Sequence, residues 1–137
     1  MEPKRPAPAP NADTKPFWGA CNRGELVYQR CRGCGRPQFF PRSICSHCRG
    51  SDLEWKISAG KGAVYTFTVN HRPPNPAFEE DVPYVIALVD LDEGFRMMMN
   101  VRGCDPEAVR IGMRVRITFE ARGEQKIPQA VPEQIPV

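Results

Sequence analysis

Apolar positions along this chain recur mostly with two-residue spacing, so most of it should be strand. Leu53-Glu54-Trp55-Lys56-Ile57 alternates apolar and polar, and Met113, Val115, Ile117 and Phe119 alternate with Arg114, Arg116, Thr118 and Glu120. Between these stretches, Ala63, Tyr65, Phe67 and Val69 fall on one face of a strand and Val64, Thr66, Thr68 and Asn70 on the other. Tyr84-Val85-Ile86-Ala87-Leu88-Val89 is nearly continuous in apolar character, which predicts a strand buried on both faces. Asp92-Glu93-Gly94 turns the chain into a returning strand, Phe95 to Val101, in which Met98 faces opposite to Met97 and Met99. One side of that methionine triplet should be core and the other an adaptable apolar surface. Asp105-Pro106-Glu107-Ala108-Val109 predicts a capped helical turn with proline first, and Lys126 to Val131 a last short strand. Five strands with a short helical connection between the third and fourth follow the order of an OB-fold barrel over residues 60–137, a pattern that another small barrel or an open antiparallel sheet would fit nearly as well. Closure lets such a barrel manage its own edges.

The first 59 residues follow a different plan. Residues 1–12 are rich in proline and alanine, lack apolar periodicity and are expected to form a disordered tail. Thr14 to Asn22 predicts a short helix capped by Asp13 or Thr14, with Pro16 in its first turn and Gly24 just past its end. Phe17 and Trp18 are adjacent and cannot share a narrow stripe, so the helix offers a broad apolar surface. That surface suits either a lid on the residues that follow or a docking element for another protein. Leu26 to Arg30, Gln38 to Phe40 and Leu53 to Ile57 predict three short strands, which with the helix make up a unit spanning 13–59.

Four cysteines decide how that small unit can be stable. Cys31-Arg32-Gly33-Cys34 and Cys45-Ser46-His47-Cys48 are two C-x2-C hooks separated by ten residues, enough chain to bring them together. Four thiolates in a tetrahedron select zinc, and a site with no open position is structural. The result is a rubredoxin-like zinc ribbon, too small to fold on apolar burial alone and stabilised mainly by its metal. Iron uses the same four thiolates; the Cys34-Gly35 step suits it, but Cys48 is followed by Arg49 and only then Gly50, which favours zinc. A disulfide framework would need an oxidising compartment. Met1 to Pro10 holds no apolar core for a secretory signal and no run is long enough to span a bilayer, so a cytoplasmic location with no membrane partner is expected.

Composition narrows the partners. At 137 residues the chain can bury one real core plus a satellite, and fifteen prolines and eleven glycines favour short strands and turns over long helices. The net charge of +3 is mild where nucleic-acid binders of this size carry a larger, clustered basic excess. An OB fold that binds nucleic acid presents exposed aromatics along a basic groove. Here the middle strands offer only Tyr84 and Phe95 near their ends, so a nucleic-acid-binding zinc-ribbon/OB-fold module is the alternative reading and no nucleic-acid partner is expected. Arg114, Arg116, Arg122 and Lys126 fit a solvated face.

No catalytic constellation stands out. Cys104 lies in a tight Gly-Cys-Asp-Pro turn without a nearby histidine, and Cys21 would be a fifth ligand to a full tetrahedron. His47 could ligate only by displacing a cysteine of its own hook. His71 ends a strand and opens a proline-rich loop, Arg72 to Pro76, that runs on to Glu79, Glu80 and Asp81. The aromatics Phe17, Trp18, Phe39, Phe40 and Trp55 are more than a zinc-stapled unit of this size can bury, and aromatics left at its rim would serve as interface anchors.

Taken in order, the aromatic helix, the hooks with Pro41-Arg42 between them, Gly60-Lys61-Gly62, Pro83 to Gly94, and Gly103-Cys104-Asp105-Pro106-Glu107 with Val109 to Met113 resemble one known family. It comprises the zinc-ribbon plus OB-fold accessory proteins of thiolase-superfamily enzymes, long catalogued as a domain of unknown function. The resemblance runs from about Asp13 to about Val131. It implies a non-catalytic subunit of a thiolase, aldolase or acyltransferase complex in acyl-CoA metabolism, with Cys31, Cys34, Cys45 and Cys48 holding one zinc. It implies further that helix and ribbon (Phe17, Trp18, Phe39, Phe40) dock the catalytic subunit. The barrel would then lie near a coenzyme A thioester, with His71, Arg72 and Arg96 as candidate contacts.

Overall fold

The computed structural model describes residues 8–72, 76–77 and 82–133. Residues 1–7 of the expected tail, residues 73–75 of the proline-rich loop and Glu79, Glu80 and Asp81 lie outside the described residues.

Helix α1 spans Lys15–Asn22 and buries Phe17, Ala20 and Cys21. Its expected side-chain cap is not made: Thr14 stands at the N-cap without a capping hydrogen bond. A turn ahead of the helix uses the polar groups instead. Asn11 Oδ1 accepts from the backbone N–H groups of Asp13 (3.0 Å) and Thr14 (2.9 Å), while Thr14 Oγ1 accepts from Asn11 N–H (2.9 Å). At the other end Gly24 takes a left-handed φ of 77°, and the N–H groups of Arg23 and Gly24 close onto the carbonyls of Ala20 and Cys21.

Three short strands follow. β1 (Val27–Cys31) lies between β2 (Pro37–Gln38) and β3 (Leu53–Ile57), antiparallel to both. β2 is shorter than expected because the chain leaves the ladder at Phe39, whose ring turns toward the barrel.

The remaining strands close a barrel. β4 (Lys61–Asn70), β5 (Tyr84–Leu91), β6 (Arg96–Val101), β7 (Arg114–Arg122) and β8 (Gln125–Pro132) pair in the order β4-β5-β6-β8-β7, with β7 returning to β4. Only β6 and β8 run parallel. A 3-10 turn, Pro106–Ala108, connects β6 and β7; the Asp105 carboxylate caps it by accepting from Glu107 N–H. This is the mainly-β architecture expected, a helix and ribbon followed by a five-stranded OB barrel. Among the described residues no helix is long and apolar enough to cross a membrane.

Two strand faces differ from the simple alternation. β4 carries a bulge: Val64 pairs with Val89 and Thr66 with Leu88, leaving Tyr65 as the extra residue. The bulge shifts the phase, so Gly62 and Val64 are buried on one side of it and Phe67 and Val69 turn inward on the other, while Tyr65 is exposed. β5 is not buried on both faces. Val85, Ala87, Val89 and Leu91 are buried, and Tyr84, Ile86, Leu88 and Asp90 are half-exposed on the barrel exterior. Met97 and Met99 are buried and Met98 is 67% exposed, the division that alternation predicts.

Ribbon and barrel share one core. Phe17, Ala20, Cys21, Leu26, Val27 and Tyr28 pack in the same cluster as the inward residues of the barrel. Phe95, at the base of β6, stacks on Tyr28 (centroids 4.6 Å apart) and on Phe39 (6.1 Å); Phe39 meets Phe17 edge-on at 5.4 Å, and Phe17 meets Trp18 at 4.9 Å. The linker is clamped as well. Glu93 accepts from Ser58 Oγ (2.7 Å) and from Ala59 N–H (2.8 Å), which makes the Asp92-Glu93-Gly94 turn a latch on the ribbon's exit.

Gly62 sits where β4 is held between β5 and β7. A methyl there would collide with the Asp90 carbonyl oxygen and lie 3.1 Å from Leu91 Cα, both backbone atoms that cannot swing away. Gly62→Ala should therefore destabilise the barrel by about 1–3 kcal/mol, the range for overpacking, read from the urea unfolding midpoint at unchanged slope.

Candidate metal centre

The hooks are built on the ends of strands. β1 delivers Cys31 and β3 begins just beyond the second hook, so their antiparallel pairing brings both ends of the loop to one point. Arg32 N–H donates to the Asp52 carbonyl (2.8 Å), continuing that ladder past the last strand residue. Each hook then folds the same way. Gly35 N–H bonds the Cys31 carbonyl (2.8 Å) and Cys31 N–H the Arg36 carbonyl (3.0 Å); Arg49 N–H bonds the Cys45 carbonyl (3.0 Å) and Cys45 N–H the Gly50 carbonyl (2.7 Å).

Gly35 and Arg49, each following the second cysteine of its hook, both adopt left-handed backbone, with φ of 77° and 65°. The second hook therefore makes the same turn without glycine, and Arg49 gives no ground for preferring zinc to iron. Four thiolates suit either ion, so that preference rests on the relatives described below.

The four Sγ atoms lie within 4.8 Å of one another, with Cys31 to Cys48 at 3.5 Å and Cys34 to Cys45 at 3.6 Å, and all four are free thiols. Metal–sulfur bonds of about 2.3 Å in a tetrahedron require sulfur–sulfur edges of about 3.8 Å, so the set fits one tetrahedral ion. Cys31 and Cys45 are buried, Cys34 and Cys48 exposed. Backbone N–H groups point at the sulfurs, from Cys34 to Cys31 (3.4 Å), from His47 and Cys48 to Cys45 (3.3 and 3.5 Å) and from Gly50 to Cys48 (3.4 Å). The N–H of Cys48, then that of His47, hold the Cys45 thiol down to about 6 against burial. Cys48 stands at about 11: Gly50 N–H lowers it, but the Cys31 thiol, burial and the other two thiols outweigh that donor. Crowded sulfurs that cannot all ionise are the condition a divalent cation relieves.

Two buried glutamines, not anticipated from the sequence, shape the loop between the hooks. Gln29 on β1 donates to the Arg42 carbonyl and accepts from Arg42 N–H, both at 2.9 Å. Gln38 on β2 donates to Gln29 Oε1 (2.6 Å) and accepts from Ser46 N–H (2.8 Å), which fixes the start of the second hook. Gln29 and Gln38 alternate into the sheet among apolar residues, and that placement was the only available signal.

The other candidates stand apart from the cysteine cluster. His47 is exposed beside Arg36 (Nδ1 to Nη1 3.5 Å) and is not among the clustered donors. Cys21 is fully buried in the shared core, where desolvation pushes its thiol up to about 12. Cys104 is half-buried in its turn; burial, then Asp105, raises its thiol above the ordinary range. His71 and Arg72 are exposed where β4 ends. Arg96 bonds Asp90 through Nε (2.5 Å) and Nη2 (3.2 Å), and its guanidinium lies 3.5 Å over the Tyr65 ring. Its fork is occupied by Asp90, which counts against it as a phosphate contact. Arg114 is likewise forked onto Asp92 (2.7 and 2.8 Å), and Arg122 pairs with Glu120.

The expected interface aromatics separate into two groups. Phe17 is 4% exposed and belongs to the core, so it cannot be a surface anchor as it stands. Trp18, Phe39 and Trp55 are half-buried against that core, and Phe40 is 67% exposed. The barrel absorbs what the ribbon could not bury by itself.

The sequence matches two family models, the rubredoxin-like zinc ribbon domain of ChsH2 over residues 18–54 and the C-terminal OB-fold domain of ChsH2 over 55–120. A DUF35 domain-containing scaffold protein of Methanocaldococcus jannaschii is 43% identical over 95 residues, covering 69% of this chain and 67% of that protein. A probable enoyl-CoA hydratase alpha subunit of Thermomonospora curvata is 41% identical over 134 residues, covering 95% of this chain; the chain spans 41% of that relative's length. Among solved structures, a chain of the Ltp2-ChsH2(DUF35) aldolase superposes with a TM-score of 0.83 at 38% identity, covering 92% of this chain and 98% of that one.

Gln38→Leu removes the acceptor of Ser46 N–H and one of the two donors to Gln29 Oε1, which keeps its bond from Arg42 N–H. It should cost about 1–3 kcal/mol of stability and speed the reaction of the hook thiols with a colorimetric disulfide reagent.

Proposed function

The chain belongs to the ChsH2-type DUF35 family, which joins a rubredoxin-like zinc ribbon to an OB fold, and from that premise we propose that it is a non-catalytic accessory subunit of a thiolase-type acyl-CoA-processing complex. The observation that carries this reading is the overlay on 98% of a chain of the Ltp2-ChsH2(DUF35) aldolase, with ribbon and barrel both included. The alpha-subunit name of the hydratase relative points the same way. The chemistry then belongs to the partner, and this chain supplies a rigid surface. Phe40 is its exposed anchor, Phe39 packs against it, and Phe17 in the core joins Phe39 to Trp18. A coenzyme A thioester held by the partner would lie toward the exposed pair His71 and Arg72 at the end of β4, since Arg96 is committed to Asp90.

Cys31, Cys34, Cys45 and Cys48 hold one structural zinc in this reading. Bound there, the ion supplies a cross-link between the two hooks, and the backbone N–H donors spread the charge of the thiolates. Elemental analysis should find one zinc per chain. Structural zinc in ribbon-sized units contributes binding free energies of about 10–16 kcal/mol, so Cys34→Ser should unfold residues around the hooks while the barrel strands keep their hydrogen-exchange protection. A metal-free native protein, or a variant that melts as a whole, contradicts this assignment.

Docking is tested with Ltp2 and with a thiolase-superfamily protein from the organism that encodes this chain. Phe40→Ala should weaken the complex by about 2 kcal/mol, roughly thirtyfold in Kd by calorimetry, with zinc content and thermal stability unchanged. Wild-type chain that binds neither protein would overturn the accessory-subunit reading.

A further inference from the structure

A cleft of about 260 Å³ opens where the loop between the hooks faces the β5–β6 turn. Phe39, Phe40 and Phe95 form its apolar lining, and Arg42, His47 and Arg96 its polar one. Among the described residues no acidic side chain lines it, and the carboxylate of Asp90, bonded at its rim, is taken up by Arg96. Arg42 is different from Arg96. Its backbone is pinned on both sides by Gln29, yet its guanidinium makes no hydrogen bond or ion pair with any described residue. A fixed backbone therefore presents an uncommitted, planar, five-donor cation beside an aromatic surface.

The volume lies below the roughly 300–1,000 Å³ usual for small-molecule sites and suits one or two side chains. Charge and shape together select the occupant. We propose that the cleft receives a carboxylate-bearing segment of the catalytic partner, its Asp or Glu on Arg42 and a neighbouring apolar side chain against Phe39 and Phe40. The proposal rests on the accessory-subunit reading and adds the chemistry of the contact. The cleft adjoins Phe40, so anchor and acid pocket form one continuous patch to which ribbon and barrel both contribute. Arg42 then acts as a specificity element. A partner without the acid would leave a cation desolvated against aromatics, which costs more than the apolar contact returns.

The test uses the full-length zinc-loaded chain with the same partner proteins. Arg42→Glu should raise the Kd by about tenfold or more, and Arg42→Gln should weaken binding less while flattening its salt dependence. Arg116→Glu, a charge reversal of equal size on β7 away from the cleft, should change the Kd by less than about twofold. Circular dichroism and zinc content confirm that each variant is folded. If wild type binds and Arg42→Glu binds equally well, the proposal fails and the accessory-subunit reading stands; if wild type does not bind, both fail. Coenzyme A offered to the isolated chain separates the other source of an anion. Binding that Arg42→Glu abolishes would assign the cleft to a small phosphorylated ligand and overturn the proposal.

Discussion

Everything in this molecule hangs on the stack of rings that Phe95 makes with Tyr28 and Phe39. A zinc-ribbon-sized unit has too little interior to bury five large aromatics, and a five-stranded barrel has an open end to cover. Phe95 sits at that end, beside the β5–β6 turn, and stacks with two ribbon rings. Phe17 then reaches the same cluster from α1. The two elements complete one hydrophobic core, so a rotation of the ribbon against the barrel would break ring contacts worth about 0.5–1.5 kcal/mol each beyond the area they bury. The polar latch works in the same direction. Glu93 holds Ser58 and Ala59 at the only covalent crossing between ribbon and barrel, and Asp92, next to it, binds Arg114 across the barrel.

This rigidity gives the surface its meaning. On the proposed accessory-subunit reading the chain acts on a partner by where it places groups, and placement requires that the hooks, Phe40 and Arg42 keep fixed relations to the barrel. Gln29 and Gln38 extend the fixed frame into the loop between the hooks, using hydrogen bonds where no apolar residue could reach. Buried amides of this kind are stabilising only when every donor and acceptor is used. Here Gln29 serves both backbone groups of Arg42, and Gln38 ties Gln29 to Ser46.

Much of this was legible before any coordinates. The hook spacing, the strands β3 and β7, the opposed methionines of β6 and the capped turn before β7 are all local signals, though Ile57 on the expected apolar face of β3 is exposed. The misreadings came from long-range pairing. The extra residue at Tyr65 is invisible in the alternation, because a bulge is set by the partner strand, here by Val89 and Leu88. The apolar run of β5 looked doubly buried because nothing in it records that its outer face borders solvent. Phe17 and Trp18 looked equivalent as neighbours on a helix, yet one is in the core and the other at its edge, a difference decided by the barrel that α1 packs against. The resemblance to accessory subunits pointed to helix and ribbon as the docking side. It could not say which rings the barrel would claim first.

The two hooks show how far a local sequence rule carries. Left-handed backbone costs a non-glycine residue about 1–2 kcal/mol, which is why glycine follows the first hook as Gly35. Arg49 adopts nearly the same φ without that freedom. That conformation goes with two hydrogen bonds, from its own N–H to the Cys45 carbonyl and from Cys45 N–H to the Gly50 carbonyl. They also place the sulfur of Cys48 opposite that of Cys31. The strain is local and the geometry it secures is shared by four thiols, so the cost at one residue is small beside the free energy of ligating a metal. Glycine is therefore the unstrained solution for such a turn and not a requirement, and the identity of that residue says little about which ion the hooks hold.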